Sequence, residues 1–203
     1  MNRDRREIRT CAHEVRADPQ ENGLRFTGYA AMFNTWSQDL GGFREMIAPG
    51  AFAKAIAEDD VRALYNHNPD WVLGRNKAGT LQLFEDENGL GFIIDAPDTG
   101  WARDLHALVA RGDVDQCSFG FIVRDEEWRI NREGGPDERI LKDVGLFDVS
   151  IVTYPAYEQT SVAARSAEAV WQEHMEHREQ PPQGAGRINI LRRKLDLREH
   201  GGN

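Results

Sequence analysis

The sequence lacks the features of a membrane protein, a secreted protein or a disulfide-rich protein. It has no run of about 18 apolar residues, and its N-terminal stretch MNRDRREIRT contains no apolar segment of the signal-peptide kind. It has only two cysteines, Cys11 and Cys117, without CxxC spacing. We therefore expect no membrane insertion, no secretion and no disulfide framework, and we expect a reducing compartment such as the cytoplasm.

The net charge is distributed unevenly along the chain. The net charge is −9, from 34 acidic and 25 basic side chains among 203 residues. Residues 187–203 carry five basic and two acidic side chains, so removing their charge of +3 leaves −12 for the rest of the chain. An acidic body argues against binding of a nucleic-acid backbone. The basic end either docks on an acidic partner or forms a solvated amphipathic helix.

Alternating apolar and polar residues predict a mainly β protein. Strand-like runs occur at 8–15 and 24–33, recur between 61 and 95, and return four times between 117 and 152. The stretch NREGGPD within the last group is typical of a hairpin tip. Roughly nine or ten strands joined by short turns favour an antiparallel barrel or sandwich over a doubly wound fold.

Two short helices are predicted between the strands, and a different texture follows them. One helix comes after Pro49, and the other lies between Thr99, a predicted N-cap, and Gly112. A polar helical stretch, a QPPQGAG linker and a short amphipathic stretch end the chain. We expect a folded α+β domain over residues 1–165 and a helical tail over residues 166–203.

A serine, a histidine and an aspartate lie where a β fold can bring them together. Ser118 interrupts the apolar run CSFGFIV, and Asp148 interrupts the apolar strand LFDVSIV. His67 follows a strand end, so its imidazole can stand at the rim of a sheet. A buried carboxylate stays ionised when it has a partner such as an imidazole N–H. Three such residues are by themselves a weak pattern. Ser118 is equally well explained as a structural hydroxyl, and His67 as a hydrogen-bonded structural histidine.

Strand alternation limits which side chains can share a site. It places Ser118 opposite Cys117, so at most one of the two can face His67. In the later strand it places Leu146, Asp148, Ser150 and Val152 together on one face.

Metal chemistry has little support in the sequence. His174 and His177 have the spacing of one helical face, but no carboxylate or cysteine partner accompanies them in a polar stretch. We expect no metal and no cofactor.

A succession of motifs adds the specificity that isolated residues lack. The blocks GYAAMFN, GGFREMIAPGAF, NHNPDWVLGR, AGTLQLFEDENGLGF, LVARGDVDQCSFGF and LFDVSIVTYPAYEQT follow one another from about residue 24 to residue 163. In this order they resemble the prohead maturation proteases of tailed bacteriophages. That family is considered related to the herpesvirus assemblins, so the resemblance implies a closed antiparallel β-barrel flanked by helices, and a serine nucleophile.

The resemblance also assigns roles to individual residues. The family's histidine falls on His67 and its serine nucleophile on Ser118, with Asp148 inferred to orient the histidine. Glu45 and Asp143 are competing carboxylates. Ser150 is a competing serine, although its place beside Asp148 is more simply explained by a structural hydroxyl.

Substrates and partners follow from the same resemblance. It implies a serine endopeptidase that cuts the scaffolding segment of the major capsid protein, and itself, inside a precursor shell in the host cytoplasm. A homo-oligomer is possible, and no nucleic acid or membrane partner is expected. Two alternatives stay open at this point: a capsid-assembly module without proteolysis, and a cysteine hydrolase that uses Cys117.

Overall fold

The protein is mainly β with three α-helices, in agreement with the predicted α+β class. The computed structural model describes residues 5–11, 15–19, 23–154 and 162–178. In these residues the strands are β1 (Glu7–Cys11), β2 (Arg16–Pro19), β3 (Leu24–Met32), β4 (Phe43–Ile47), β5 (Arg62–Tyr65), β6 (Asn68–Arg75), β7 (Leu81–Glu85), β8 (Gly89–Ala96), β9 (Gln116–Arg129) and β10 (Asp137–Val152). The helices are α1 (Ala53–Glu58), α2 (Gly100–Arg111) and α3 (Val162–Arg178). None of these helices is long and apolar enough to cross a membrane.

The strands form two sheets. The six-stranded sheet, here called sheet A, has the order β1-β9-β10-β5-β6, and β4 also pairs with β10. The four-stranded sheet B has the order β2-β3-β8-β7. Within the described ranges neither sheet closes on itself, so the predicted closed barrel is not confirmed. The pairing is also not wholly antiparallel, because the long strand β10 has parallel partners in β4 along its first half and β5 along its second.

Strands β9 and β10 form one long hairpin, where the sequence pattern predicts four separate strands. They contain 14 and 16 residues, and the tip between them lies at the predicted NREGGPD stretch. A register shift between Leu146 and Asp148 marks a bulge in β10. Leu146 therefore joins the core with Val149, whereas Asp148 lies on the opposite face. The prediction that Leu146 and Asp148 share a face is wrong, because strict alternation does not hold across a bulge.

An apolar core lies between the two sheets and is closed by helices. Phe26 and Phe92 from sheet B meet Phe119 and Phe121 from sheet A there, all almost fully buried. Burial of each such ring contributes about 1.5–3 kcal/mol before the entropy of ordering is subtracted. Both predicted helices are present, and Thr99 precedes α2 as its N-cap, although its side chain makes no capping hydrogen bond.

Helix α3 crosses the predicted domain boundary at residue 165. Its Ala167 and Val170 pack with Phe43 of β4 in a second, smaller apolar cluster. His174 of α3 lies with Nε2 2.8 Å from an oxygen of Asp137. The boundary stays a prediction, and the linker and amphipathic stretch predicted beyond residue 178 lie outside the described residues.

A buried ion cluster joins β1, β4, β9 and β10 on the core side of sheet A. Arg139 is 2% exposed and donates hydrogen bonds to Glu7, Glu45 and Glu126. Arg9 donates to both Glu7 and Glu45. Burial alone would raise the pKa of Glu7, but the hydrogen bonds and charges of Arg139 and Arg9 hold it below its usual value of 4.5.

Loss of Arg139 is expected to destabilise the fold strongly. Arg139→Met keeps most of the volume but leaves buried carboxylates unpaired, and breaking such a pair costs about 3–5 kcal/mol of unfolding free energy. Arg103→Met is the matched control, because Arg103 and its partner Asp98 are exposed and such surface pairs contribute about 0–1 kcal/mol. Urea unfolding of both variants measures the difference, and equal small losses would contradict a structural role for the cluster.

Candidate active site

The structure brings the three predicted site residues into one hydrogen-bonded chain. Nε2 of His67 lies 2.7 Å from the hydroxyl oxygen of Ser118. Nδ1 of His67 lies 2.5 Å from Oδ2 of Asp148. Because an ionised carboxylate only accepts hydrogen bonds, Nδ1 carries a proton, and Nε2 of the neutral imidazole is then free to accept one from Ser118.

Neighbouring strands of sheet A position the serine and the aspartate. Ser118 of β9 lies directly opposite Ser150 of β10, and Gly120 lies opposite Asp148. These four residues alternate with core residues such as Phe119, so they share the face of sheet A that points away from the core. The bulge before Asp148 turns its carboxylate to this face, as bulges beside functional sites often do.

The histidine enters the site from a tight turn. Asn66 and His67 form a two-residue connection between β5 and β6, and both have left-handed backbone conformations, with φ of 53° and 55°. Positive φ at both positions is the pattern of a type I′ turn, which matches the twist of a hairpin. Strand β5 pairs with β10, so the turn lies beside the strand that carries Asp148.

Asp148 is buried but has three partners. Besides His67, Ser150 donates its hydroxyl proton to Oδ2 at 2.8 Å, and Arg6 forms a salt bridge with Oδ1. Burial alone would raise the pKa of Asp148, but the hydrogen bond and charge of His67, the Ser150 hydroxyl and the Arg6 charge hold it below its usual value of 3.8. Asp148 is therefore ionised at neutral pH.

Ser118 has a second acceptor for its proton. Its hydroxyl lies 2.9 Å from the carbonyl oxygen of Arg9 in the edge strand β1. One hydroxyl proton serves either this carbonyl or Nε2 of His67 at a time. Ser118 is 1% exposed to solvent, whereas the His67 side chain is 17% exposed.

The competing residues occupy other places. Cys117 lies in the apolar core, on the opposite face from Ser118. Glu45 belongs to the buried ion cluster, and Asp143 lies 3.7 Å from Arg124. Ser150 contacts Asp148 and is thereby part of the carboxylate's surroundings, as a structural hydroxyl would be.

Sequence reasoning missed Gly120 and Arg6. A Cβ atom on Gly120 would lie 2.6 Å from Oδ1 of Asp148 and 3.0 Å from a guanidinium nitrogen of Arg6. The space above this glycine is thus filled by the carboxylate and its cation. The glycine in CSFGF was a visible signal, because a glycine in a strand often marks a close approach of other groups. No local signal in the sequence joins Arg6 to a residue 142 positions later.

Gly120→Ala is expected to lower turnover by on the order of 10²-fold, since displacements near 1 Å at a reacting centre have effects of that size. The added methyl group pushes the Asp148 carboxylate, which is a movable side-chain end, away from His67. Gly100→Ala is the matched control, because nothing lies within 4 Å of its Cβ position. Peptide cleavage rates and thermal unfolding measure the two effects separately, and unchanged turnover in folded Gly120→Ala would contradict this account.

The chain is similar to viral proteases of capsid assembly. A family profile described as caudovirus prohead serine protease matches residues 12–177. Among solved structures, the chain is similar to the capsid assembly protease of bacteriophage T4, with 13% identity, a TM-score of 0.49, and coverage of 74% of this chain and 98% of that chain. No curated protein matches the chain. The family match includes every strand from β2 to β10 and all three residues of the hydrogen-bonded chain.

Proposed function

The chain belongs to the family of caudovirus prohead serine proteases, and on this premise we propose that His67, Ser118 and Asp148 form the catalytic triad of a phage capsid maturation protease. The single observation that carries this assignment is the unbroken hydrogen-bonded path from Asp148 through His67 to Ser118. Nucleophile, base and orienting carboxylate are each within reach of the next, as a serine protease requires.

The geometry supports a two-step acyl transfer. The Ser118 oxygen attacks the carbonyl carbon of the scissile peptide bond while Nε2 of His67 takes its proton. The resulting imidazolium returns this proton to the leaving amine, the C–N bond breaks, and an ester remains on Ser118. Water then loses a proton to His67 and attacks the ester carbonyl. The C–O bond to Ser118 breaks, the imidazolium returns the proton to the Ser118 oxygen, and the acid product is released. Throughout, Asp148 accepts the Nδ1 hydrogen bond and stabilises the positive charge on the ring.

The proposed substrates are the scaffolding segment of the major capsid protein and the protease itself. Cleavage is proposed to take place inside the prohead in the host cytoplasm, with a homo-oligomer as a possible working form. We further propose that residues 166–203 act as a tail that docks on scaffold or is removed by self-cleavage. Full packaging of a truncated protein that ends at residue 165 would count against docking, although loss of α3 also removes packing against Phe43.

Fluorophosphonate labelling tests the proposed nucleophile directly. Concentrated protein is treated with the reagent, and the adduct is mapped by peptide mass spectrometry. We expect one adduct, on Ser118, that disappears in His67→Ala. Labelling is expected to be slow in the isolated protein, because Ser118 is 1% exposed. An adduct on Ser150, or equal labelling of Ser118 in the His67 variant, would overturn the assignment.

A further inference from the structure

We propose that Asn66 is a positioning residue that holds the catalytic base in place by clamping its turn to the end of β10. The proposal rests on the proposed role of His67 as the base. Asn66 touches neither Ser118 nor Asp148 in any described contact, so its effect would pass through His67.

The clamp consists of three hydrogen bonds between Asn66 and β10 or the residue after it. The backbone N–H of Asn66 donates to the carbonyl of Ile151 at 2.9 Å. Its side-chain oxygen accepts from the backbone N–H of Thr153 at 3.0 Å. Its side-chain nitrogen lies 3.2 Å from the Thr153 hydroxyl, to which it donates. Asn66 is therefore tied to the strand that carries Asp148.

The turn needs such a clamp because His67 has a left-handed backbone conformation. A non-glycine residue persists in this region when the surrounding structure fixes it. Of the ring's own two hydrogen bonds, the one to Ser118 changes during every proton transfer, so only the one to Asp148 holds the ring throughout. The Asn66 contacts involve no atom of the imidazole, so they remain while the ring gains and loses its proton.

The type of side chain matters at this position. Asparagine adopts positive φ more readily than most residues, and its amide offers both the acceptor and the donor that Thr153 meets. Asn66 is exposed, so its replacement opens no cavity in the core. Its substitution can therefore be studied in folded protein.

Asn66→Gly tests the two side-chain hydrogen bonds of the clamp without changing the backbone conformation of the turn. Glycine keeps the left-handed conformation but removes both side-chain hydrogen bonds. We expect kcat to fall by on the order of 10²-fold with KM unchanged, because the base rather than peptide binding is affected. Asn66→Asp retains the acceptor for the Thr153 N–H and is expected to recover part of the loss. Asn88→Gly, in the β7–β8 turn of sheet B, is the control and should keep wild-type kinetics.

A double-mutant cycle with Thr153 tests the contact itself. Thr153→Val removes a hydroxyl that also lies 2.6 Å from the Tyr65 hydroxyl, so the cycle is run in a Tyr65→Phe background. There, combining Thr153→Val with Asn66→Gly is expected to lower kcat no further than Asn66→Gly alone, since contacting residues are not additive. Thr153→Ser keeps the hydroxyl and should stay close to wild type. Wild-type kcat in Asn66→Gly, or strictly additive losses in the double variant, would overturn the inference.

His67→Ala in the same assay distinguishes the two proposals. If that variant still cleaves, the proposed function fails whatever Asn66 does. If it is inactive while Asn66→Gly has wild-type kcat and KM, the proposed function stands and only the positioning role falls.

Discussion

Ser118→Ala is expected to lower turnover by on the order of 10⁴- to 10⁶-fold, the range found when a serine protease loses its nucleophile. Without the hydroxyl oxygen no acyl-enzyme forms, and His67 retains only its bond to Asp148. The fold should be unaffected, because the substitution deletes only one hydroxyl group on the outer face of sheet A. The Arg9 carbonyl loses one hydrogen-bond donor. Cleavage of a purified capsid-protein substrate, followed by gel and mass spectrometry, measures the loss.

Cys117→Ala is the matched control for this experiment. It lies next to Ser118 in the same strand but in the apolar core, 1% exposed, so it has no access to His67. The control variant should retain cleavage once folded. Persistent cleavage by Ser118→Ala would show that the hydroxyl of Ser118 is not the nucleophile, and an equal loss in a folded Cys117→Ala would show that the effect is not specific to that hydroxyl.

Local pattern was enough to predict much of the fold. Helices α1 and α2 and the β9–β10 hairpin tip all have strong local signals: apolar residues at helical spacing, a glycine beyond the helix end and a Gly-Pro turn. Strand β4 was missed because its inward side includes Glu45. A charged residue hides the alternation of FREMI, and the distant Arg139 and Arg9 together explain why that carboxylate is buried.

In the candidate site, too, some features were predictable from local sequence and others depend on distant residues. Ser118, His67 and Asp148 were nominated from residue type and from the resemblance, and the structure places them within hydrogen-bond distance. The face of the sheet on which Asp148 lies was not predictable from the sequence. It depends on a bulge, and a bulge depends on pairing with a partner strand rather than on local composition. The Arg9 carbonyl belongs to the edge strand β1, which Arg6 directly precedes, and this strand meets β9 only in the folded sheet. Residues that surround and hold a site are therefore harder to predict than those that carry its chemistry.

Asp148→Asn is expected to lower turnover by about 10⁴-fold, as loss of the orienting carboxylate does in other serine proteases. An amide can donate to Nδ1 of His67, which moves the ring proton to Nε2 and leaves no acceptor for the Ser118 hydroxyl. Asp143→Asn is the matched control, because Asp143 lies on the same strand but pairs with Arg124. Comparable losses in the two variants would contradict a specific role for Asp148, and full activity in Asp148→Asn would remove it from the triad.

The charge of Asp148 should also be visible in the pH dependence of stability. Its pKa lies below 3.8 in the folded protein, so its contribution is present above that pH and is lost as the pH falls through the lower folded value. Wild type and Asp148→Asn are therefore expected to differ in unfolding free energy at pH 7 and to converge in strong acid. Arg6→Gln removes one of the charges that lower this pKa. The folded pKa of Asp148 then lies closer to the unfolded value, so the loss of stability in acid should be smaller than in wild type and complete at a higher pH. Urea unfolding across this pH range measures both effects, and a constant difference between wild type and Asp148→Asn at every pH would show that folding does not lower the pKa of Asp148.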